Sequence, residues 1–360
     1  MAANRVRTRA TKGADAVAPT PPKATTKRVN LALQGGGAHG AFAWGVLDRL
    51  LEDGRVEFDA VSATSAGAMN ATVLAYGLTI GGRDGARAEL AKFWKQISDA
   101  GAKGPLQASW LDKATRNWSL SNSPSFLFFD ILSRMMSPYQ LNPMNMNPLR
   151  DVLTACVDFD RLRAGCALRL YLSATNVRTG KVKVFETHEI SPDAVLASGC
   201  LPFIFHTVVI DGEPYWDGGY MGNPAIFPLI YGSEVNDVVI LHINPLVRDD
   251  IPKTAPEIMN RINEISFNSS LMREMRAIAF VSSLIDREEL KSDRHRRMLI
   301  HSIRNEAFMS GLGVMSKLNA DWAFLQELRD VGRETASRWL DENFDAIGQR
   351  STTDLRDLFL

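Results

Sequence analysis

The strongest constraint on the fold is a repeated pattern of strand, tight turn and helix that starts near residue 29. Residues 29–34 form a short apolar run, a cluster of glycines follows, and residues 41–52 carry apolar side chains at helical spacing. A second strand is predicted over residues 58–63 and a second helix over residues 66–76. Alternating elements of this length predict an α/β fold with a mostly parallel central sheet flanked by helices.

Further strands are predicted later in the chain, at residues 168–174, 183–186 and 235–243. Beyond about residue 250 the strand signals stop, and apolar residues recur at helical spacing, for example at Leu318, Trp322, Leu325 and Leu328. Because an apolar stripe on a helix usually faces a core, we expect this C-terminal stretch to pack against the α/β body.

Composition limits the classes of protein to which the chain can belong. Its 360 residues carry 41 basic and 41 acidic side chains, so nothing in the overall charge points to nucleic acid. The mean hydropathy is −0.11, and there is no run of about 18 apolar residues, so no membrane span is expected. Cys156, Cys166 and Cys200 lack zinc-site spacing and are odd in number, which favours a reducing, cytoplasmic compartment.

Residues 1–28 differ from the rest of the chain in charge. They carry seven basic side chains against a single acid, Asp15, which gives this segment a net charge of +6. An apolar segment of the kind found in secretory signal peptides is missing from these residues. We predict a disordered basic leader. The alternatives are a polybasic contact with anionic lipid or a polyanion, and a transit peptide.

The glycine cluster between the first strand and helix is open to three interpretations, the simplest of which is a tight turn with no further role. Gly35, Gly37 and the glycine three residues later fit the G-x-G-x-x-G pattern of dinucleotide-binding loops. That interpretation needs an acid at the end of the second strand, whereas Asp59 lies near the strand's beginning. We favour a loop that directs backbone N–H groups at a single negative charge. Gly36 and Gly37 are then the main donors, and Ala38 is a third.

A second turn, Ala63-Thr64-Ser65-Ala66-Gly67, has the layout of a nucleophile elbow. A predicted strand ends directly before it and a predicted helix begins directly after it, so Ser65 would stand at the carboxyl edge of the sheet. Small residues two positions before and after the serine are needed because the turn crowds them against the backbone. Alone, such a serine is more often a helix N-cap than a nucleophile. Its position one strand–helix unit after the glycine loop favours the nucleophile.

A third element comprises residues 198–203, with the sequence Ser-Gly-Cys-Leu-Pro-Phe, and the later turn Asp217-Gly218-Gly219. In such a turn, backbone N–H groups can donate to the aspartate carboxylate. The Asp-Gly-Gly sequence alone is a common turn. Together and in this order, however, the glycine loop, the serine elbow, the Ser-x-x-x-Pro stretch and this turn resemble the patatin-like phospholipase family. The resemblance covers roughly residues 29–245.

The resemblance implies a three-layer fold and the hydrolysis of fatty-acyl esters of lipids through an acyl-Ser65 intermediate. In the implied serine–aspartate dyad, Asp217 takes the proton of Ser65 and returns it to the leaving group, although a carboxylate of ordinary pKa is a poor base. The implied oxyanion hole is the backbone of Gly35, Gly36, Gly37 and Ala38. No metal, cofactor or nucleic acid is implied, and a phospholipid or lysophospholipid is the implied substrate.

With this family in view, we predict a catalytic domain over residues 29–245 and a helical extension over residues 246–360. Peripheral contact with a membrane or lipid surface fits a lipid substrate. Three alternatives stay open: a lipase of neutral acylglycerols, a lipid-binding or scaffold protein that has lost turnover, and the disfavoured dinucleotide protein.

Two positions depart from the family pattern. His39 stands where arginine or lysine is common, so we expect the charge near the glycine loop to vary with pH near neutrality. Ala63 stands where glycine is common. A dyad needs no histidine, and we expect all six to be structural or solvated: His39, His188, His206, His242, His295 and His301.

Two further segments have alternative interpretations. Residues 110–139 are unusually aromatic and form either a cap over the site or a buried helix of the core. Residues 291–297 are basic and form either a solvated helix face or a contact with lipid phosphates.

Overall fold

The structure is a computed structural model that describes residues 26–104, 118, 132, 135–248, 251–290 and 295–360. Three predictions fall wholly or partly outside these residues. They concern the basic leader, most of the aromatic segment, and the first four residues of the basic segment at 291–297.

An eight-stranded sheet forms the centre of the described part of the chain. Its strands are β1 (Lys27–Leu33), β2 (Val56–Ala63), β3 (Arg169–Asn176), β4 (Val182–Glu186), β5 (Val208–Ile210), β6 (Glu213–Asp217), β7 (Asp237–Leu241) and β8 (Leu299–Ile303). They lie in the order β5-β6-β3-β2-β1-β7-β8, and β4 also pairs with β3. The neighbouring strands β3, β2, β1, β7 and β8 are parallel to one another. Strands β4 and β6 pair with β3 in antiparallel fashion, and β5 pairs with β6 in the same way.

Helices connect these strands and cover both faces of the sheet. They are α1 (Gly40–Asp53), α2 (Ala66–Gly101), α3 (Pro138–Leu141), α4 (Pro148–Cys156), α5 (Phe159–Gly165), α6 (Pro192–Ser198), α7 (Phe227–Gly232), α8 (Ala255–Asp286), α9 (Glu306–Ser310), α10 (Trp322–Asn343) and α11 (Leu355–Phe359). The second helix runs well beyond its predicted end at residue 76, with a kink at Gly81 and Gly82. No helix of the described residues has the length and apolar character to cross a membrane.

The alternation of side chains along the central strands produces three layers. In β1, Leu31 and Leu33 face a core shared with α1, α2 and α10, whereas Ala32 faces a second core shared with α7, α8 and α11. In β7, Leu241 faces the first of these cores and Ile240 faces the second. Successive side chains of a strand point to opposite faces, so a strand that is apolar throughout must be covered by helices on both faces of the sheet. The predicted three-layer α/β fold is thereby confirmed.

The C-terminal helix α10 packs closely against α1. A Cβ atom at Gly45 would overlap the carbonyl oxygen of Arg329, and one at Gly332 would overlap the carbonyl oxygen of Phe42. Glycine at both positions therefore lets the two helix backbones touch. The apolar stripe that was predicted to pack on the body, including Leu325, is buried in this contact.

The first strand begins at Lys27, inside the predicted leader. The Lys27 ammonium donates to the carbonyl oxygens of Phe344 and Ile347, at 2.9 Å each, beyond the end of α10. Arg28 forms an ion pair with Asp59. These two basic residues are therefore part of the folded body, because each has a fixed partner there.

The C-terminal region also contributes a strand that the sequence pattern did not predict. Strand β8 pairs in parallel with β7, in register from Asp237 and Leu299 onward. Its sequence, Leu-Ile-His-Ser-Ile, is short and contains two polar residues, so it lacks the apolar run of the other strands. The imidazole of His301 is satisfied within the fold because its Nε2 lies 2.9 Å from an Asp237 carboxyl oxygen.

Candidate active site

The segments that follow β1, β2 and β7 meet at one edge of the sheet. Leu33, at the end of β1, pairs with both Ala63 and Leu241, the last residues of β2 and β7. The chain moves outward from β1 in one direction through β2 and later in the other direction through β7. A ligand crevice forms outside the carboxyl ends of parallel strands at such a point.

Ser65 lies at this edge in a strained backbone conformation. Its φ and ψ are 56° and −124°, and its residue surface is 9% exposed. A non-glycine residue rarely adopts a positive φ, and this sharp turn between strand and helix is that of a nucleophile elbow. A Cβ atom at Gly67 would overlap the carbonyl oxygen of Leu33, so the turn requires glycine there. Ser65 directly precedes α2, whose N-terminus favours negative charge.

Ser198, at the end of α6, braces the serine turn. Its hydroxyl accepts a hydrogen bond from the Ser65 N–H at 2.9 Å and donates one to the Ser173 carbonyl oxygen at 2.7 Å. A Cβ atom at Gly199 would lie 3.6 Å from Ser65 Oγ, so this segment also covers the hydroxyl. Ser198 is the first residue of the Ser-x-x-x-Pro stretch. The sequence pattern located this stretch but did not predict that Ser198 accepts a hydrogen bond from the Ser65 N–H.

Asp217 lies at the end of β6 and is fully buried. One carboxyl oxygen accepts a hydrogen bond from the Gly219 N–H at 2.7 Å. The other has no hydrogen-bond partner of normal geometry among the described residues. The Ser65 hydroxyl nevertheless lies close enough to act on this carboxyl and lower its pKa.

Burial raises the pKa of Asp217 from 3.8 to about 6, although Gly219, Ser65 and Lys317 each lower it. Loss of water disfavours the charged form of a carboxyl group, which explains the direction. A base with this pKa is better matched to neutral pH than an ordinary aspartate. The expectation of an intrinsically poor base therefore underestimated the basicity of this residue.

The glycine loop lies directly against the serine turn. A Cβ atom at Gly35 would stand 2.6 Å from the Ser65 Cβ atom, so only glycine fits. The Gly35 N–H donates to Asn223 Oδ1 at 2.6 Å. Gly35 therefore shapes the loop, and its N–H is not available to an oxyanion as the sequence interpretation proposed.

The next three N–H groups of the loop are available. Those of Gly36, Gly37 and Ala38 form no hydrogen bond with any described residue. Gly37 has a φ of +60°, which turns the chain back into a short 3-10 helix before α1. Gly36 and Ala38 are buried, whereas Gly37 is exposed. Because unpaired buried N–H groups are costly, such a cluster is typical of an anion site.

Polar side chains hold the loop from behind. The Gln34 side-chain oxygen accepts from the N–H groups of Ile243 and Asn244, at 2.8 and 3.0 Å. The Asn244 side-chain amide donates to the Gly35 carbonyl oxygen at 2.8 Å. These residues could not be identified from the sequence, because their partners lie about 200 positions away along the chain.

The buried His39 is neutral. Its Nε2 lies 2.7 Å from the Ser316 hydroxyl, which itself donates to the Gly313 carbonyl oxygen. Nε2 is therefore the donor. Burial, aided by the positive charge of Lys317, holds the pKa of His39 well below its usual range. The expectation that its charge varies with pH near neutrality was wrong.

All six histidines lie in the described part of the chain, and none forms a hydrogen bond with Ser65 or Asp217. His206 Nε2 lies 3.1 Å from the Pro138 carbonyl oxygen. His242 is buried, which lowers its pKa to about 3. The geometry thus offers no histidine as base, in line with the dyad interpretation.

Asp59, the acid considered for a ribose, has partners within the body of the protein. It pairs with Arg28 and Arg169 and accepts a hydrogen bond from Ser233 Oγ at 2.7 Å. It lies four residues before the end of β2. A dinucleotide would find neither a free carboxylate nor one at the sheet edge.

The aromatic segment, residues 110–139, and the basic segment, residues 291–297, are described only in part. Trp118 is buried, with its indole N–H 2.8 Å from a Glu327 carboxyl oxygen, as expected for a core residue. Met135, by contrast, is 78% exposed. In the basic segment, Arg297 pairs with Asp286 at 3.0 Å.

A comparison with known proteins shows which family the chain resembles. The family model described as patatin-like phospholipase matches residues 31–230. Among solved structures, VipD from Legionella pneumophila is 15% identical, with 88% of this chain and 67% of that chain covered and a TM-score of 0.38. The type III effector ExoU is 16% identical, with coverages of 89% and 54% and a TM-score of 0.32, so this chain spans about half its length. No curated protein matches. With more than half of its residues matched by the family model, the chain belongs to the patatin-like phospholipase family.

Proposed function

We propose that the protein is a serine hydrolase of lipid acyl esters that works through a dyad of Ser65 and Asp217. The observation that carries this proposal is the pairing of a strained, covered serine with a fully buried carboxyl whose second oxygen lacks a hydrogen bond. A structural N-cap serine would not need a positive φ, and a structural buried aspartate would have both oxygens satisfied.

In the first half of the reaction, ionised Asp217 accepts the proton of the Ser65 hydroxyl while Ser65 Oγ attacks the ester carbonyl carbon. The carbonyl oxygen becomes an oxyanion, which accepts hydrogen bonds from the N–H groups of Gly36, Gly37 and Ala38. When this intermediate collapses, Asp217 returns the proton to the departing alcohol, and an acyl-Ser65 ester remains.

In the second half, a water molecule attacks the acyl carbon and gives its proton to Asp217. The second oxyanion uses the same N–H groups. Its collapse releases the fatty acid, and the proton on Asp217 returns to Ser65 Oγ. Atoms balance over the cycle, since one ester and one water become one acid and one alcohol.

The proposed substrate is a phospholipid or lysophospholipid, with neutral acylglycerol as the nearest variant. The family supports a lipid acyl hydrolase in general terms. We propose residues 29–245 as the catalytic domain and residues 246–360 as an extension that supplies β8 and α10. A lipid substrate also implies peripheral contact with a lipid surface, and we propose a cytoplasmic location.

Labelling by a fluorophosphonate probe tests the nucleophile. Wild type should be labelled, whereas Ser65→Ala should not be, and Asp217→Asn should react much more slowly. Ser282→Ala, in the last turns of α8, is a matched control that should label like wild type. Turnover of phospholipid, lysophospholipid and acylglycerol by wild type that has not been exposed to the probe then identifies the substrate class.

Two outcomes would count against the proposal. Folded wild type that stays unlabelled, also in detergent micelles, would favour a lipid-binding or scaffold protein that has lost turnover. Labelling that persists in folded Ser65→Ala would place the nucleophile elsewhere.

A further inference from the structure

One cation of the C-terminal region, Lys317, lies against the glycine loop. It belongs to a short 3-10 helix, Val314–Leu318, between α9 and α10. A Cβ atom at Gly37 would overlap the Lys317 carbonyl oxygen, so the backbones of the two segments touch. The preceding residue, Ser316, holds His39. The loop and this segment are therefore packed as one unit.

The Lys317 ammonium is directed toward the site by two contacts. It donates to Asn244 Oδ1 at 2.7 Å, and the Asn244 amide group in turn donates to the Gly35 carbonyl oxygen. It also lies 6.0 Å from the ring centroid of Phe267, whose edge leaves no room for a Cβ atom at Gly219 beside Asp217. The ammonium thus lies between the glycine loop and the aspartate turn.

In the part of the chain that the structure describes, the charge of Lys317 has no dedicated counter-ion. Among the described residues, its ammonium makes a single hydrogen bond and no ion pair. Glu264 of α8, an acid whose charge raises the pKa of Lys317, is already held by Arg248 and Arg261. An ammonium carries three donors, so two of them have no hydrogen-bond partner among the described residues. A partly buried cation without a paired carboxylate is expensive, which argues for a use in the reaction.

The glycine loop itself lacks a positive side chain, because His39 is neutral. Lys317 is the cation that acts on this region, since its charge lowers the pKa of both His39 and Asp217. The same field would stabilise any other negative charge that develops beside the loop.

We propose that Lys317 supplies the positive charge of the oxyanion loop and stabilises the tetrahedral intermediate electrostatically across Asn244 and Gly35–Gly37. This inference rests on the proposed hydrolase function. It makes the C-terminal region a part of the active site and gives Lys317 the role of a charge-supplying, positioning residue.

The test uses the full chain and a soluble, uncharged ester, p-nitrophenyl butyrate. Lys317→Met keeps the length of the side chain and removes the charge, so kcat should fall by about tenfold or more, with little change in KM. Lys317→Arg keeps the charge and should recover most of the loss. Thermal melting of all three proteins shows whether each variant is folded.

The pH profile provides a second readout that does not need the methionine variant to fold. Burial lowers the pKa of Lys317 to about 8, against the influence of Glu264 and Asp217 and together with that of Arg248. Wild-type kcat should therefore decline above about pH 8, and Lys317→Arg should extend activity to higher pH, because arginine stays charged. Tyr220 and Cys200, near Asp217, have pKa values raised to about 12 and do not titrate in this range.

Three results would overturn the inference. An unchanged kcat in folded Lys317→Met would show that the charge is not used. Identical alkaline limbs in wild type and Lys317→Arg would remove the electrostatic argument. A higher KM for lysophosphatidylcholine alone, with p-nitrophenyl butyrate unaffected, would assign the cation to the substrate phosphate instead. A wild type that neither labels nor turns over would refute the proposed function itself, which is a distinct result.

Discussion

Replacing Asp217 by asparagine should inactivate the protein and at the same time stabilise it. The carboxyl is fully buried, and one of its oxygens has no hydrogen bond within the described residues. Asparagine has nearly the same shape and keeps an acceptor for the Gly219 N–H, but it carries no charge and cannot act as a base. The reaction loses its proton acceptor, while the fold loses a buried charge.

The expected gain in stability follows from the pKa. The Asp217 pKa rises from 3.8 to about 6 on folding, so the ionised native state is disfavoured. At about 1.4 kcal/mol for each pH unit, the difference corresponds to about 3 kcal/mol at pH 7.5. Below the unfolded pKa the group is protonated in both states and nothing is lost; the penalty develops as pH rises from about 3.8 to about 6 and is complete above that. At pH 4.5 only about 1 kcal/mol should remain.

Thermal melting of wild type and Asp217→Asn at the two pH values measures this effect. With an unfolding entropy of about 2.1 cal/mol/K per residue, 3 kcal/mol raises the Tm of a 360-residue protein by about 4 °C. Asp193→Asn, on the exposed start of α6, is a control. A Tm difference that is the same at both pH values, or an Asp217→Asn variant that melts below wild type at pH 7.5, would refute the buried-charge reasoning.

Three further predictions follow from the site and the packing. Wild-type kcat should rise with pH through about 6 as Asp217 becomes ionised, and a flat pH–rate profile between pH 5 and 7 would contradict its role as base. Ser198→Ala should lower kcat by about tenfold without unfolding the protein, since the Ser65 N–H loses its acceptor; steady-state kinetics with a melting control test this. Gly332→Ala should destabilise the fold by about 3 kcal/mol in denaturant titration, because its methyl group meets the backbone of α1, whereas Gly81→Ala meets open space and should not.

Local patterns in the sequence correctly predicted the strands, turns and helices whose formation depends mainly on neighbouring residues. The strand before Gly35, the turn at Ser65 and the helices that follow were all located correctly, because apolar periodicity and small residues at a tight turn are encoded within a few positions. Short β8 was missed because two of its five residues are polar. The start of β1 at Lys27 was missed because the basic residues there resemble the leader.

Whether a given N–H group is free to donate, or a given side chain carries a charge, could not be predicted from local sequence. The sequence offered Gly35 as an oxyanion donor, but its N–H is taken by Asn223, which lies 188 positions away. It offered His39 as a pH-dependent charge, but burial keeps this residue neutral. In both cases the side chain or N–H was located correctly, and its surroundings changed what it can do.

The fold class, the serine turn, the glycine loop and the aspartate turn could all be predicted from the sequence, since each leaves a pattern within a few neighbouring residues. The folded protein was needed to show that burial raises the pKa of Asp217 to about 6, that Ser198 accepts from the Ser65 N–H, and that Lys317 lies against the glycine loop. Basicity, hydrogen-bond satisfaction and local field depend on how much water and which charges surround a group. Those surroundings are assembled from segments up to about 280 residues apart, and no local pattern records them.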